Sequence, residues 1–75
     1  MNSRQKYNLL QAVEKLKREN VNKSLDYKII TKKKSNKWDD IDILLNVNND
    51  SNVISLTVDD LRIIGNVYDV LKRFV

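Results

Sequence analysis

The feature that most constrains this chain is a double change of hydrophobic period within 75 residues. Apolar residues recur at helical spacing near the start, alternate with polar ones through the centre, and return to helical spacing at the end. From Arg4 to Asn20, the residues Leu9, Leu10, Ala12, Val13 and Leu16 fall on one side of a helix. Asn2 is placed to act as N-cap, with Gln5 completing a capping-box variant, and Asn20 and Asn22 are stop signals. The opposite side carries Arg4, Gln11, Lys15 and Arg18, with Tyr7 and Glu14 at its margin.

The central stretch predicts three strands. Leu25-Asp26-Tyr27-Lys28-Ile29 alternates apolar with polar. After the polar connector Lys32-Lys33-Lys34-Ser35-Asn36-Lys37, alternation resumes with Ile41, Ile43, Leu45 and Val47 on one face, and Asp40, Asp42 and Asn46 on the other. Asn48-Asn49-Asp50-Ser51 reads as a turn, and Asn52 to Thr57 as a third strand with Ile54 and Leu56 facing the core. Short connectors favour an antiparallel meander.

The last segment, Asp59 to Phe74, predicts one continuous helix. Thr57 is its expected N-cap, Asp59 and Asp60 suit the positive end of the helix dipole, and Lys72 and Arg73 suit the negative end. Leu61, Ile64, Tyr68, Leu71 and Val75 form one apolar row, with Ile63, Val67, Val70 and Phe74 beside it. Gly65 interrupts the interior at a cost of up to ~1 kcal/mol relative to Ala. The order α-β-β-β-α implies one α+β domain over residues 1–75, a three-stranded antiparallel sheet with two helices packed on one face. If sheet and first helix do not cover both rows of the last helix, a homodimer or another partner would bury the remainder.

Composition removes several function classes. The chain has no Cys and no His, so it lacks a thiolate nucleophile, the commonest general base and the commonest zinc ligand. A domain this small buries only roughly 60% of its unfolded surface, and an enclosed substrate cavity would compete with that core. Enzyme is the poorest class, and no cofactor is expected. The acidic residues lack the Gly and terminal Glu of an EF-hand, so no metal is expected either. No apolar run reaches membrane-spanning length, and residues 1–6 lead into an amphipathic stretch rather than an apolar signal core. Absence of cysteine fits a reducing compartment, and the expectation is cytoplasmic. Ten Asn, ten Lys, one Gly and no Pro suggest an AT-rich genome, such as that of a low-GC bacterium or its phage.

Charge is divided along the chain. Residues 1–37 hold eleven Lys or Arg against three acids, a net of +8, while residues 38–75 hold three against seven, a net of −4. Arg4, Lys15 and Arg18 on the first helix, with Lys32, Lys33, Lys34 and Lys37 in the connector, compose a candidate phosphate-binding surface. The plainer alternative is that these lysines only solvate a helix face and a loop.

The element order is similar to that of the double-stranded-RNA-binding domain, which reads A-form shape with its first helix, a loop and its second helix. The resemblance covers most of the chain as topology alone. It implies contacts from Tyr7, Lys15 and the 32–37 loop. That family opens its second helix with a lysine cluster; here the place reads Thr57-Val58-Asp59-Asp60, which repels phosphate. The family's Gly-Pro-His-like loop signature is missing too.

Position of the acids shifts the expectation toward a protein partner. Trp38, the only tryptophan, lies between Lys37 and Asp39 at the loop-to-strand junction, where interface energy concentrates in aromatic anchors. With Asp39, Asp40, Asp42 and Tyr7 it forms the candidate partner-binding set, acids steering approach to a basic surface. The alternatives are a ring that closes the core and aspartates that keep a hairpin face hydrated. The leading expectation is a small non-enzymatic binding protein, a phage or mobile-element accessory that inhibits a larger host protein of replication, transcription or defence by stoichiometric blockade. The runner-up is nucleic-acid binding through the basic first helix and Lys-rich loop.

Overall fold

A computed structural model describes residues 2–30 and 41–75. Helix α1 spans Ser3–Glu19 and begins with the expected capping box. The Gln5 amide donates to Asn2 Oδ1 at 2.8 Å, and the Asn2 amide donates to Gln5 Oε1 at 3.0 Å. At the far end Asn20 donates its side-chain amide to the Leu16 carbonyl at 2.8 Å, occupying an acceptor that the ended helix leaves open. Leu9, Ala12, Val13 and Leu16 are buried, but Leu10 is 41% exposed. Leu10 falls about 100° round the helix from Leu9, beyond the buried stripe, and Asn8 on the other side takes the core position instead.

Strands β1 (Leu25–Ile30), β2 (Ile41–Val47) and β3 (Asp50–Leu56) form an antiparallel meander in the order β1-β2-β3. Leu25, Ile43, Leu45, Val47, Ile54 and Leu56 alternate along the strands and join the buried residues of the helices in one core. Both helices therefore lie on one face of the sheet. The opposite, outer face carries Lys28, Leu44 and Val53 in one cross-strand row.

The second hairpin is tighter than the expected Asn48–Ser51 turn. Only Asn48 and Asn49 form it, with φ of 51° and 73°. Two consecutive left-handed residues are the signature of a type I′ turn, whose twist matches that of the strands, and asparagine tolerates this conformation well. Asp50 and Ser51 are thereby released into β3. Asn48 also clasps the start of β1: its amide donates to the Ser24 carbonyl, and its Oδ1 accepts from the Ser24 amide, both at 2.9 Å.

The predicted continuous helix over Asp59–Phe74 is interrupted. A 3-10 turn at Asp60–Arg62 is followed by Ile63 in extended conformation (φ −132°, ψ 128°), and helix α2 spans Ile64–Lys72. Thr57 does not cap α2, whose N-cap position is Ile63; it forms a reciprocal pair with Asp60 just ahead of the 3-10 turn, whose own N-cap position, Asp59, makes no side-chain capping bond. The Asp60 amide donates to Thr57 Oγ1 at 3.0 Å, while the Thr57 amide donates to Asp60 Oδ2 at 3.1 Å. The break has a physical cause on α1. In an unbroken helix the Leu61 carbonyl would accept from the Gly65 amide four residues on. Here the buried Asn8 side chain donates to that carbonyl at 2.7 Å, and glycine, the weakest ordinary helix former after proline, does not compete. Leu61 is fully buried as a result, and Ile63 is left 58% exposed.

Candidate interaction surfaces

Arg4, Tyr7, Lys15 and Arg18 all lie on the outward side of α1, with Tyr7 55% exposed. Helical rise places Arg4 and Arg18 about 21 Å apart along one strip. Among the described residues neither arginine has an acidic partner within ion-pair distance, whereas Lys17 meets Glu14 at 4.0 Å. Lys15 leans across to α2, where its ammonium sits 4.6 Å from the centroid of the Tyr68 ring, and Lys72 approaches the same ring at 5.6 Å. Such cation–π contacts contribute roughly 0.5–1 kcal/mol at exposed sites.

Asp42 occupies a different layer. Its neighbours Ile41 and Ile43 face the helices, so Asp42 faces the outer side of the sheet, where it is buried and accepts from Ser55 Oγ at 2.6 Å. Tyr7 on α1 and Asp42 on the sheet therefore do not share a surface. The other proposed partner-binding residues, Trp38, Asp39 and Asp40, lie outside the described residues, as do Lys32, Lys33, Lys34 and Lys37. Asp59 and Asp60 are engaged locally: Asp60 with Thr57, and Asp59 with the Arg62 guanidinium at 3.3 Å. Three of the described acids of the second half, Asp42, Asp59 and Asp60, thus have partners within the chain.

One constellation had no sequence signal. Tyr68 donates its hydroxyl to the Glu19 carboxylate across 49 positions of chain, at the mouth of a groove of about 290 Å³ between the C-terminal ends of α1 and α2. Leu16 and Val75 supply apolar lining, while Glu19, Asn20 and Lys72 supply polar groups. The hydrogen bond to Glu19 is the main cause that raises the Tyr68 phenol above its ordinary 10.0, with burial and the negative charges of Glu19 and Asp69 adding to it. The neutral phenol is the form favoured by folding. Its contribution is fully present below the unfolded pKa and is lost as pH rises through the raised folded value. In a Tyr7→Phe/Tyr27→Phe background, a near-ultraviolet titration should show Tyr68 ionising later than a free phenol. Glu19→Gln should bring the transition to lower pH; an unchanged titration would show that the carboxylate is not its cause.

The outer sheet face, which neither helix covers, carries a small apolar group. Val53 is 61% exposed beside half-buried Leu44, and Ile30 flanks them. Among the described residues, no group of His, Cys, Asp or Glu is arranged to hold a metal ion, and no helix is long and apolar enough to cross a membrane. No protein-family model matches the chain, and comparison with curated proteins and with solved structures finds no match.

Proposed function

We propose that this chain is a small non-enzymatic binding protein that acts by occupying a surface of a larger host protein. The observation that carries this reading is the outer face of the sheet. Leu44 and Val53 stand side by side there, uncovered by the helices, and the Ser55–Asp42 bond holds a polar pair next to them. An apolar centre with a fixed polar margin is the usual anatomy of a protein-docking patch. Blockade would be stoichiometric, and the Asn- and Lys-rich, Gly-poor composition suits a phage or mobile-element accessory protein. The acids are less central to the reading than the charge split suggests, because Asp42 and Asp60 already accept internal hydrogen bonds.

One observation favours a second reading, nucleic-acid binding through α1: among the described residues, Arg4 and Arg18 on its outward strip have no acidic partner. Paired experiments separate the two. Affinity capture from a low-GC bacterial lysate should recover a stoichiometric protein with the wild type and lose it with Leu44→Thr, which introduces a strand-favouring β-branched residue but removes apolar surface. Mobility shifts with duplex DNA and RNA at two salt concentrations address the second. Strongly salt-dependent binding that Arg4→Ala/Arg18→Ala weakens, together with no captured protein, would replace the first reading by the second.

A further inference from the structure

The free edge of β3 is built to pair. In a two-residue hairpin the residues flanking the turn form a hydrogen-bonded pair, and bonded and non-bonded pairs alternate from there. Val47 and Asp50 flank the turn, so Asn52, Ile54 and Leu56 also bond to β2. The N–H and C=O groups of Ser51, Val53 and Ser55 therefore point to the outer edge, where no described strand pairs with them. Proteins normally blunt such an edge with lysine, proline or a bulge. Asp50–Leu56 has no lysine or proline, pairs with β2 residue for residue, and carries a single charge at its turn end.

The two edges of the sheet differ. On β1, Asp26 and Lys28 are exposed, and the flank of α1 turned away from α2 carries Lys6 and Lys17 around Leu10. Above β3 lies α2, whose flank away from α1 carries Val70 and Phe74, with Ile63 at its head; Phe74 is 40% exposed. The strand with a single charge and the apolar helix flank are thus on the same side of the molecule.

We propose that β3 pairs antiparallel with β3 of a second copy about a two-fold axis through Val53, joining the two sheets edge to edge. A two-fold interface must be self-complementary, and this one is. Val53 meets its own mate, Ser51 meets Ser55, and the outward groups form on the order of six backbone hydrogen bonds. The same symmetry carries Asp50 to the Leu56 end of the other strand. On the helix side, Ile63, Val70 and Phe74 face their counterparts.

Dimensions set the strength. A strand of this length runs about 23 Å. Multiplied by the 18 Å thickness of the molecule it gives an interface of roughly 400 Å² per copy, at the low end for specific association. The dimer should therefore be weak and reversible, with a Kd of roughly 10–100 µM. This inference is independent of docking through the outer face: one is read as mass, the other as capture sensitive to Leu44.

Sedimentation velocity over a concentration series tests it, with Val53→Pro and Val53→Lys as variants and circular dichroism as the check on folding. The Val53 amide is not used in the β2–β3 ladder, so proline is tolerated there while removing an outward donor. Lysine places a charge next to its own symmetry mate. The wild type should pass from monomer to dimer across the range, and each folded variant should dimerise at least about tenfold more weakly. If Val53→Pro unfolds, Val53→Lys decides alone. A wild type still monomeric at about 1 mM, or a dimer whose affinity neither folded variant changes, would overturn the proposal. A monomer whose Ser51, Val53 and Ser55 amides gain exchange protection only when a different protein is added would overturn it in favour of a foreign strand.

Discussion

Truncating Leu45 to alanine is expected to destabilise the protein by about 3 kcal/mol. Leu45 is fully buried on the central strand, level with Tyr27 on β1 and Asn52 on β3, beneath the helices. The loss combines the transfer free energy of the deleted carbons with the contacts forfeited around the space they leave. For a domain of this size, whose total stability is roughly 4–11 kcal/mol, that is a large fraction. The midpoint of thermal unfolding should fall by roughly 12–24 °C. Circular dichroism melts of wild type and variant measure it. A loss below about 1 kcal/mol would mean that the centre of the sheet is not packed against the helices as described.

The second large effect is at Asn8, and it carries a distinctive pH dependence. Asn8→Asp replaces a buried amide donor with a carboxylate aimed at the Leu61 carbonyl. At neutral pH an acceptor then faces an acceptor, with a charge removed from water, and the expected cost is about 3 kcal/mol or more. Asn8→Ala, which leaves the carbonyl unsatisfied without adding charge, should cost about 1–3 kcal/mol. Burial raises the folded-state pKa of the introduced carboxyl above its unfolded value. Below the unfolded pKa the protonated acid can donate to the carbonyl, and stability is recovered; it is lost as pH rises through the folded value. Urea denaturation of both variants at neutral and acidic pH, each compared with wild type, provides the measurement. If Asn8→Asp matched Asn8→Ala at neutral pH and showed no extra pH dependence, the Asn8–Leu61 bond would not be what breaks the last helix.

These residues also mark how far the sequence could be read. Local chemistry was legible. The Asn2–Gln5 capping box, the alternation in all three strands and the pairing of Thr57 with Asp60 each depend on residues within a few positions of one another. The interruption at Ile63 was not, because the apolar rows of residues 61–75 fit a single helix. What overrides them is an amide 53 positions away, with Gly65 as the only local hint. Asn8 itself sat among apolar residues with nothing to mark it as buried. Of the candidate site, the basic strip on α1 follows from helical spacing and is present. Asp42 was assigned to the correct face of its strand, but its burial against Ser55 depends on the register of β2 with β3. The Tyr68–Glu19 pair joins two helices whose mutual rotation no periodicity fixes.

The clasp between Asn48 and Ser24 bears on how the chain finds its pairing. Closing two residues of turn is entropically cheap, so the β2–β3 hairpin can form early, on a timescale of about 1–10 µs. Once formed, it presents Asn48 with a free amide and a free side-chain oxygen, and only Ser24 in the right place satisfies both. β1 is thereby aligned from its first residue, at the end of the sheet opposite the connection to β2. A slip by one residue would turn Leu25, Tyr27 and Ile29 away from the core. Alignment is thus set by an anchor at the opposite end of β1 from that connection.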